Sequence, residues 1–129
     1  MNQRRKRIPE SGDVVLLDFP GVKQTKRRPA VIVSSPLYHQ QRTDVVVGLI
    51  TSQIAAATAA TDHLLQDWAQ VGLRQPSAYR TFLITVPRSA ISRRIGKLSG
   101  RDWRSVLKCL HLALGGFEKK AADHSYRGA

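Results

Sequence analysis

Short runs of valine, leucine and isoleucine recur along most of the sequence, and glycine, proline or polar residues separate them. Runs of this length and composition are typical of β-strands, whereas helices need longer segments with a period near 3.6 residues. The pattern predicts strands over residues 13–19, 29–35, 43–52 and 77–86, with shorter strands near 63–65 and 93–99. Because Pro29 has no amide hydrogen, we expect it at the first residue of its strand or on a sheet edge.

The apolar period changes towards the C-terminus. Apolar side chains there are spaced at i, i+3, i+4, i+7 and i+11, which places them on one face of a helix. They are Trp103, Val106, Leu107, Leu110 and Leu114. Ser99 is a candidate N-cap, and Gly115 with Gly116 ends the helix. Five or six strands followed by one helix predict a mainly β protein, a small barrel closed by a C-terminal α-helix.

Charge is the most unusual feature of the composition. The chain has 21 lysines and arginines against 9 acidic residues, a net charge of +12. This excess favours a polyanionic partner, with nucleic acid first and an acidic membrane surface or an acidic protein as alternatives. A basic protein whose charge serves only its solubility is the remaining interpretation.

The single cysteine, Cys109, excludes an internal disulfide and zinc sites built on cysteine pairs. It favours a reducing cytoplasm as the compartment. No histidine or carboxylate pair has metal-ligand spacing, so we predict neither a metal nor another cofactor. No apolar run approaches the roughly 18 residues of a transmembrane helix, so no membrane partner is expected.

The length of 129 residues suits one domain. Residues 1–11 form a basic N-terminal arm around Arg4 to Arg7, which we expect to be disordered. Residues 12–116 form the folded domain, and residues 117–129 are a polar tail.

Polar residues stand where two predicted strands begin and end. Arg28 precedes the 29–35 strand, and Thr51 closes the 43–52 strand, followed by Ser52 and Gln53. If these strands are antiparallel neighbours, the start of one lies beside the end of the other, and Arg28 meets Thr51 at one rim. A guanidinium beside a hydroxyl suits a phosphodiester. The alternative is the ordinary polarity of strand ends.

Further basic residues surround this rim. The first group is Lys23, Lys26 and Arg27 in the preceding loop, with Arg80 on the 77–86 strand. The second group is Arg88, Arg93, Arg94 and Lys97. Together they predict an electropositive groove for a single nucleic acid strand, with Tyr79 or Phe82 for base stacking. Their spacing of three residues puts these aromatics on opposite faces of a strand, so at least one belongs to the core. The alternative is that each basic run is only a solvent-exposed face of the protein.

Several segments in one order resemble the PemK/MazF family of toxin–antitoxin endoribonucleases. They are GDVVLLDFP, KRRPAVIVSS, VVVGLITSQ, GLRQPSAYRTFLITVPRSAI and IGKLS, which together span about residues 12 to 115. The resemblance implies an SH3-like β-barrel with a C-terminal helix, usually a homodimer. It implies cleavage of single-stranded RNA without a metal, leaving a 2′,3′-cyclic phosphate and a 5′-hydroxyl.

The same resemblance implies roles for individual residues. Arg28 matches the family's catalytic arginine before proline, Thr51 its catalytic threonine, and Arg80 an arginine that acts as acid or steadies the phosphate. Gln24 matches a substrate-binding loop residue, and Lys26, Arg27, Ser52, Gln53 and Arg88 are further candidates for substrate binding. The implied partner is an acidic antitoxin, whose complex with the toxin binds operator DNA.

The sequence also departs from the family pattern. Lys23 stands where many members have glutamate, and the aspartate that some use as a base has no match, Phe82 being nearest. Of the four histidines, His39 is the first candidate for acid–base work, against the simpler surface or packing role. A barrel that holds nucleic acid or a partner without cutting is therefore the alternative function.

Overall fold

The computed structural model describes residues 8–19 and 26–115, and all structural statements refer to these ranges. Six strands form one antiparallel sheet in the order β4–β5–β3–β2–β1–β6. The strands are β1 (Asp13–Phe19), β2 (Lys26–Ile32), β3 (Asp44–Thr51), β4 (Asp62–Leu64), β5 (Ala78–Pro87) and β6 (Ile91–Lys97). The α-helices are α1 (Pro36–Gln41), α2 (Trp68–Val71) and α3 (Gly100–Ala113), and single 3₁₀ turns cover Ile54–Ala56 and Arg88–Ala90.

The mainly β architecture with a C-terminal helix is confirmed. β1 has the predicted bounds, whereas β2 begins at Lys26 instead of Pro29 and so includes Lys26, Arg27 and Arg28. Pro29 is therefore not the first residue of its strand. It pairs with Leu16 of β1, while β2 pairs with β3 only over Ala30–Ile32, so Pro29 lies where one side of β2 is an edge.

The closed barrel is not confirmed. The sheet ends at β4 on one side and at β6 on the other, and among the described residues β4 pairs only with β5 and β6 only with β1. The short helix α2 contacts β6. Helices α1 and α2 span six and four residues, too few for a helical apolar period to show in the sequence.

Both faces of the sheet are buried. One face packs against α3 and includes Val14, Val31, Ile50 and Tyr79 together with Val106, Cys109 and Leu110 of the helix. The opposite face contains Val15, Leu17, Ala30, Ile32, Val45 and Val47. Neighbouring residues of β1 and β2 thus alternate between the two clusters, as the pleat requires.

The predicted limits of α3 are correct. The Ser99 side chain accepts a hydrogen bond from the Asp102 amide, and Gly115 follows the helix with a φ of 104°, a left-handed conformation that glycine adopts without strain. Leu114, which we placed on the buried face, is 58% exposed because the helix ends at Ala113.

Within residues 8–19 and 26–115, no helix has the length and apolar character needed to span a membrane. The Arg4–Arg7 stretch, residues 20–25 with Gln24 and Lys23, and the tail 117–129 lie outside the described residues.

Candidate active site

A cleft of about 780 Å³ opens at the end of the sheet where β2 begins and β3 ends. The loop between α2 and β5 forms another wall, and side chains of β5 complete the lining. The described lining residues are Arg27, Arg28, Pro29, Leu49, Ile50, Thr51, Ser52, Gln53, Leu73, Arg74, Gln75, Ser77, Arg80, Phe82 and Ile84.

Arg28 and Thr51 lie at the same end of two paired strands. Ala30 of β2 pairs with Leu49 of β3, so Arg28 precedes this pair by two residues and Thr51 follows it by two. The Oγ1 atom of Thr51 accepts a hydrogen bond of 3.0 Å from the Gln53 amide. Because the backbone contact uses only a lone pair of this oxygen, the hydroxyl hydrogen can donate to a ligand in the cleft.

Arg80 reaches the same cleft from β5, the strand on the other side of β3. It pairs with Leu49 of β3 and with Asp62 of β4. Its Nε lies 3.7 Å from Oδ2 of Asp62, too far for a hydrogen bond, and this nitrogen is buried without a hydrogen-bond partner among the described residues. The side chain as a whole is 41% exposed, which leaves part of the guanidinium open to the cleft.

Arginines dominate the electrostatics of the cleft. Arg27, Arg28, Arg74 and Arg80 line it, and among the described lining residues there is neither a carboxylate nor an imidazole. Arg27 donates a 2.9 Å hydrogen bond to Asp18, and Arg80 has Asp62 nearby, but no described carboxylate pairs with Arg28 or Arg74. The cleft therefore has an excess of positive charge, which favours an anionic ligand.

Some of the residues predicted for this site lie elsewhere. Arg88 donates hydrogen bonds to the carbonyl oxygens of His39 (2.7 Å) and Arg42 (3.1 Å) and does not line the cleft. Lys26 begins β2 but is also absent from the lining. Gln24 lies outside the described residues.

The second basic stretch also does not join the cleft. Arg94 donates a 3.1 Å hydrogen bond to the buried carboxylate of Asp13, and Lys97 donates one of 2.9 Å to Glu10. Arg93 lies with Arg94 beside a smaller cavity next to the N-terminal segment. The prediction of a single groove containing both basic stretches is therefore wrong, because β6 pairs with β1 at one edge of the sheet and no described residue of either strand lines the cleft.

The two aromatic candidates separate as their spacing predicted. Tyr79 is fully buried in the core, and this burial raises the pKa of its hydroxyl to about 12. Phe82 is 59% exposed and lines the cleft. Phe82 is therefore the one of the pair that a ligand in the cleft can reach.

One wall of the cleft was not predicted, the loop that contains Leu73, Arg74, Gln75 and Ser77. This segment showed only turn-forming residues, Gly72 and Pro76. Its one positive signal was an arginine followed by an amide side chain in a short loop, a pattern too common to indicate a site.

Two of the described histidines, His39 and His63, have partners away from the cleft. The Nε2 atom of His39 lies 2.6 Å from the Ser34 hydroxyl; burial, assisted by the nearby Arg88 charge, lowers the pKa of this imidazole. The Nε2 atom of His63 lies 2.8 Å from the buried carboxylate of Asp102. Within the described ranges, no three histidine, cysteine or acidic side chains are grouped as metal ligands.

A model of one protein family matches most of the chain. The family model described as "PemK-like, MazF-like toxin of type II toxin-antitoxin system" matches residues 10–114. This chain belongs to that family of toxins. The matched residues include Arg28, Thr51 and Arg80, which line the cleft. No curated protein matches the sequence.

Solved structures of MazF-like proteins share the fold. A mycobacterial endoribonuclease in complex with its cognate antitoxin is 19% identical, with a TM-score of 0.68 over 85% of this chain and 96% of that one. A MazE–MazF structure from Deinococcus radiodurans is 21% identical, with a TM-score of 0.69 over 84% and 98%. The Mycobacterium tuberculosis toxin MazF-mt6 is 23% identical, with a TM-score of 0.64 over 78% and 94%.

Proposed function

We propose that this MazF-like toxin is a metal-independent endoribonuclease that cleaves single-stranded RNA in the arginine-lined cleft. The observation behind the proposal is that Arg28, Thr51 and Arg80, which come from three different strands, line one cleft with a surplus of positive charge. Family membership supports the same function, as does the endoribonuclease title of a structural neighbour.

The proposed reaction uses the substrate's own nucleophile. The 2′-hydroxyl of the RNA loses its proton to solvent and attacks the adjacent phosphorus. The bond to the 5′-oxygen breaks as this oxygen takes a proton from solvent, and the products are a 2′,3′-cyclic phosphate and a 5′-hydroxyl. The protein holds the linkage in line and stabilises the charge of the crowded phosphorane. Arg28 and Arg80 supply the positive charge, and Thr51 donates a hydrogen bond to a phosphoryl oxygen. The nucleotides on either side of this linkage are bound by Arg27, Ser52 and Gln53.

The test is incubation of the purified protein with end-labelled single-stranded RNA in the presence of EDTA. We expect products with cyclic-phosphate ends, and we expect Arg28→Ala and Thr51→Ala each to lower the rate by about 10²- to 10³-fold, the usual cost of one electrostatic donor. Arg104→Ala is the matched control, because Arg104 is an exposed arginine of α3 that does not line the cleft.

Two outcomes would contradict the proposal. One is cleavage that stops when EDTA removes divalent cations. The other is cleavage that survives both substitutions in the cleft, since the activity would then belong to another surface or to a contaminant.

The proposed partner is a cognate antitoxin with an acidic segment. A surplus of arginines in the cleft and a net charge of +12 favour such a segment, which would compete with RNA. A homodimer, operator DNA bound through the antitoxin complex and a cytoplasmic location belong to the same proposal. Sedimentation of the pure toxin as a monomer at micromolar concentration would contradict the dimer.

The second candidate is a module that binds RNA without cutting it. The lack of a carboxylate or imidazole among the described lining residues favours this alternative, because proton transfer then has no obvious side-chain acceptor. Binding of labelled RNA that depends on Arg28, without any cyclic-phosphate product, would support the binding module.

A further inference from the structure

The strand β5 is interrupted by a bulge at the edge of the cleft. Leu83 pairs with Gly48 of β3, but the next pair on β3, Leu49, lies opposite Arg80. Two residues of β5, Thr81 and Phe82, therefore have no counterpart on β3. Bulges of this kind redirect side chains and are common beside functional sites.

Hydrogen bonds hold the bulge in place. The Thr81 hydroxyl donates to the carbonyl oxygen of Thr61 at 2.7 Å and forms a second hydrogen bond, of 3.2 Å, with the hydroxyl of Tyr79. Tyr79 is fully buried, so the bulge is tied to the core of the sheet. The position of the neighbouring Phe82 is set by these contacts.

Phe82 is held there with most of its surface open. It is 59% exposed and lines the cleft together with Arg80 and Ile84 of the same strand. A phenylalanine with this exposure contributes little to the core. The cleft that it lines also contains four arginines and, among its described lining residues, no carboxylate. An aromatic ring in a positively charged cleft matches both parts of a nucleotide, its base and its phosphate.

We propose that Phe82 is a stacking platform for one nucleobase of the RNA strand, next to the phosphate bound by Arg28 and Arg80. This inference rests on the proposed function, because it takes the cleft as the RNA site. Stacking on a flat ring accepts every base, so Phe82 contributes affinity and register without selecting one base.

The experiment compares two probes that have the same charge. One is a fluorescein-labelled 2′-O-methyl RNA oligomer, which lacks the attacking hydroxyl and cannot be cleaved, and the other is the same backbone with abasic sugars. Dissociation constants for both are measured by fluorescence anisotropy at one fixed salt concentration, because phosphate binding depends strongly on salt. The variants are Phe82→Leu, which keeps an apolar side chain without a ring, and Phe82→Trp.

We expect Phe82→Leu to weaken binding of the base-containing oligomer by roughly tenfold to hundredfold, the range for loss of one stacked base. Binding of the abasic oligomer stays at the wild-type level, and Phe82→Trp retains affinity for both probes. Leu37→Ala is the matched control, because Leu37 is 60% exposed on α1 and does not line the cleft.

Three results would overturn the inference: unchanged affinity of Phe82→Leu for the base-containing oligomer, equal losses for both probes, or a change in sedimentation that makes Phe82 a subunit contact. Its failure is distinguishable from failure of the proposed function. If Phe82→Leu binds RNA with unchanged affinity and cleaves it normally in EDTA, only the stacking proposal is overturned. If binding depends on the ring but the wild type cleaves no RNA, only the proposed nuclease activity is overturned. Wild-type protein that binds neither probe overturns both.

Discussion

Arg80 and Asp62 face each other across the β4–β5 pair, with Nε of the guanidinium 3.7 Å from Oδ2 of the carboxylate. The Asp62 side chain is 5% exposed, and its Oδ2 also accepts a hydrogen bond of 3.2 Å from the Ala59 amide. This carboxylate is thus fixed by its own loop and attracts the buried side of Arg80. The opposite side of the guanidinium is left for the cleft.

Asp62→Asn therefore loosens Arg80 while removing a negative charge near the cleft. We expect kcat for RNA cleavage to fall by roughly tenfold, because the guanidinium is less well positioned. KM does not rise, since the local potential becomes more positive. Steady-state kinetics measures both constants. Asp44→Asn, which removes the charge paired with Arg42 away from the cleft, is the control. An unchanged kcat in Asp62→Asn would contradict the positioning role.

The composition of the cleft predicts an unusual pH dependence. None of its described lining residues has a carboxylate or an imidazole, and arginine stays protonated throughout the accessible pH range. We expect the single-turnover cleavage rate to increase continuously with hydroxide concentration from pH 6 to pH 9. A rate that levels off within this range would contradict this expectation and indicate a titrating base from elsewhere in the chain or from a second subunit.

Asp102 makes stability depend on acid pH. Its carboxylate is buried and accepts hydrogen bonds from the amides of Gln66 (2.9 Å) and Asp67 (2.8 Å), in addition to its contact with His63. Burial alone would raise the pKa of this carboxyl, but the hydrogen bonds from Gln66, His63 and Asp67 outweigh it and lower the pKa. The stabilisation is complete above the ordinary pKa near 4 and is lost as pH falls through the lower folded value.

Replacing Asp102 by asparagine removes this dependence. We expect Asp102→Asn to lower the free energy of unfolding at pH 7 by about 1 to 3 kcal/mol, because its NH₂ group cannot accept hydrogen bonds where the second carboxylate oxygen did. The difference in free energy of unfolding between variant and wild type becomes smaller at acid pH. Urea denaturation at pH 7 and at pH 3 measures this difference. A variant as stable as the wild type at pH 7 would disprove the role.

Gly48 lies against the ring of Tyr79, the residue that ties the bulge to the core. A Cβ at this position would lie 2.5 Å from Cε1 of the buried Tyr79 ring, whose hydroxyl bonds to Thr81. We expect Gly48→Ala to destabilise the fold by about 1 to 3 kcal/mol through overpacking. Gly100→Ala is the control, since the nearest atom to its Cβ is a flexible Arg104 nitrogen at 3.5 Å. Equal urea midpoints for the two variants would contradict the close approach.

The strands and the final helix were predictable because their signals are local. The bounds of β1 and the cap at Ser99 follow from residue types within a few positions of each other. Arg28 and Thr51 were also foreseeable as neighbours, since consecutive antiparallel strands bring the start of one beside the end of the other.

The rest was decided by contacts between distant segments. Arg74 enters the cleft through a loop without periodicity, whereas Arg88 is held by carbonyl oxygens of His39 and Arg42. The bulge that exposes Phe82 depends on Thr61 and Tyr79. The sequence by itself determined which segments are strands and which end of the sheet is basic. Only the tertiary structure decided which arginines share the cleft, because sheet order and loop position depend on pairing between residues far apart in the chain.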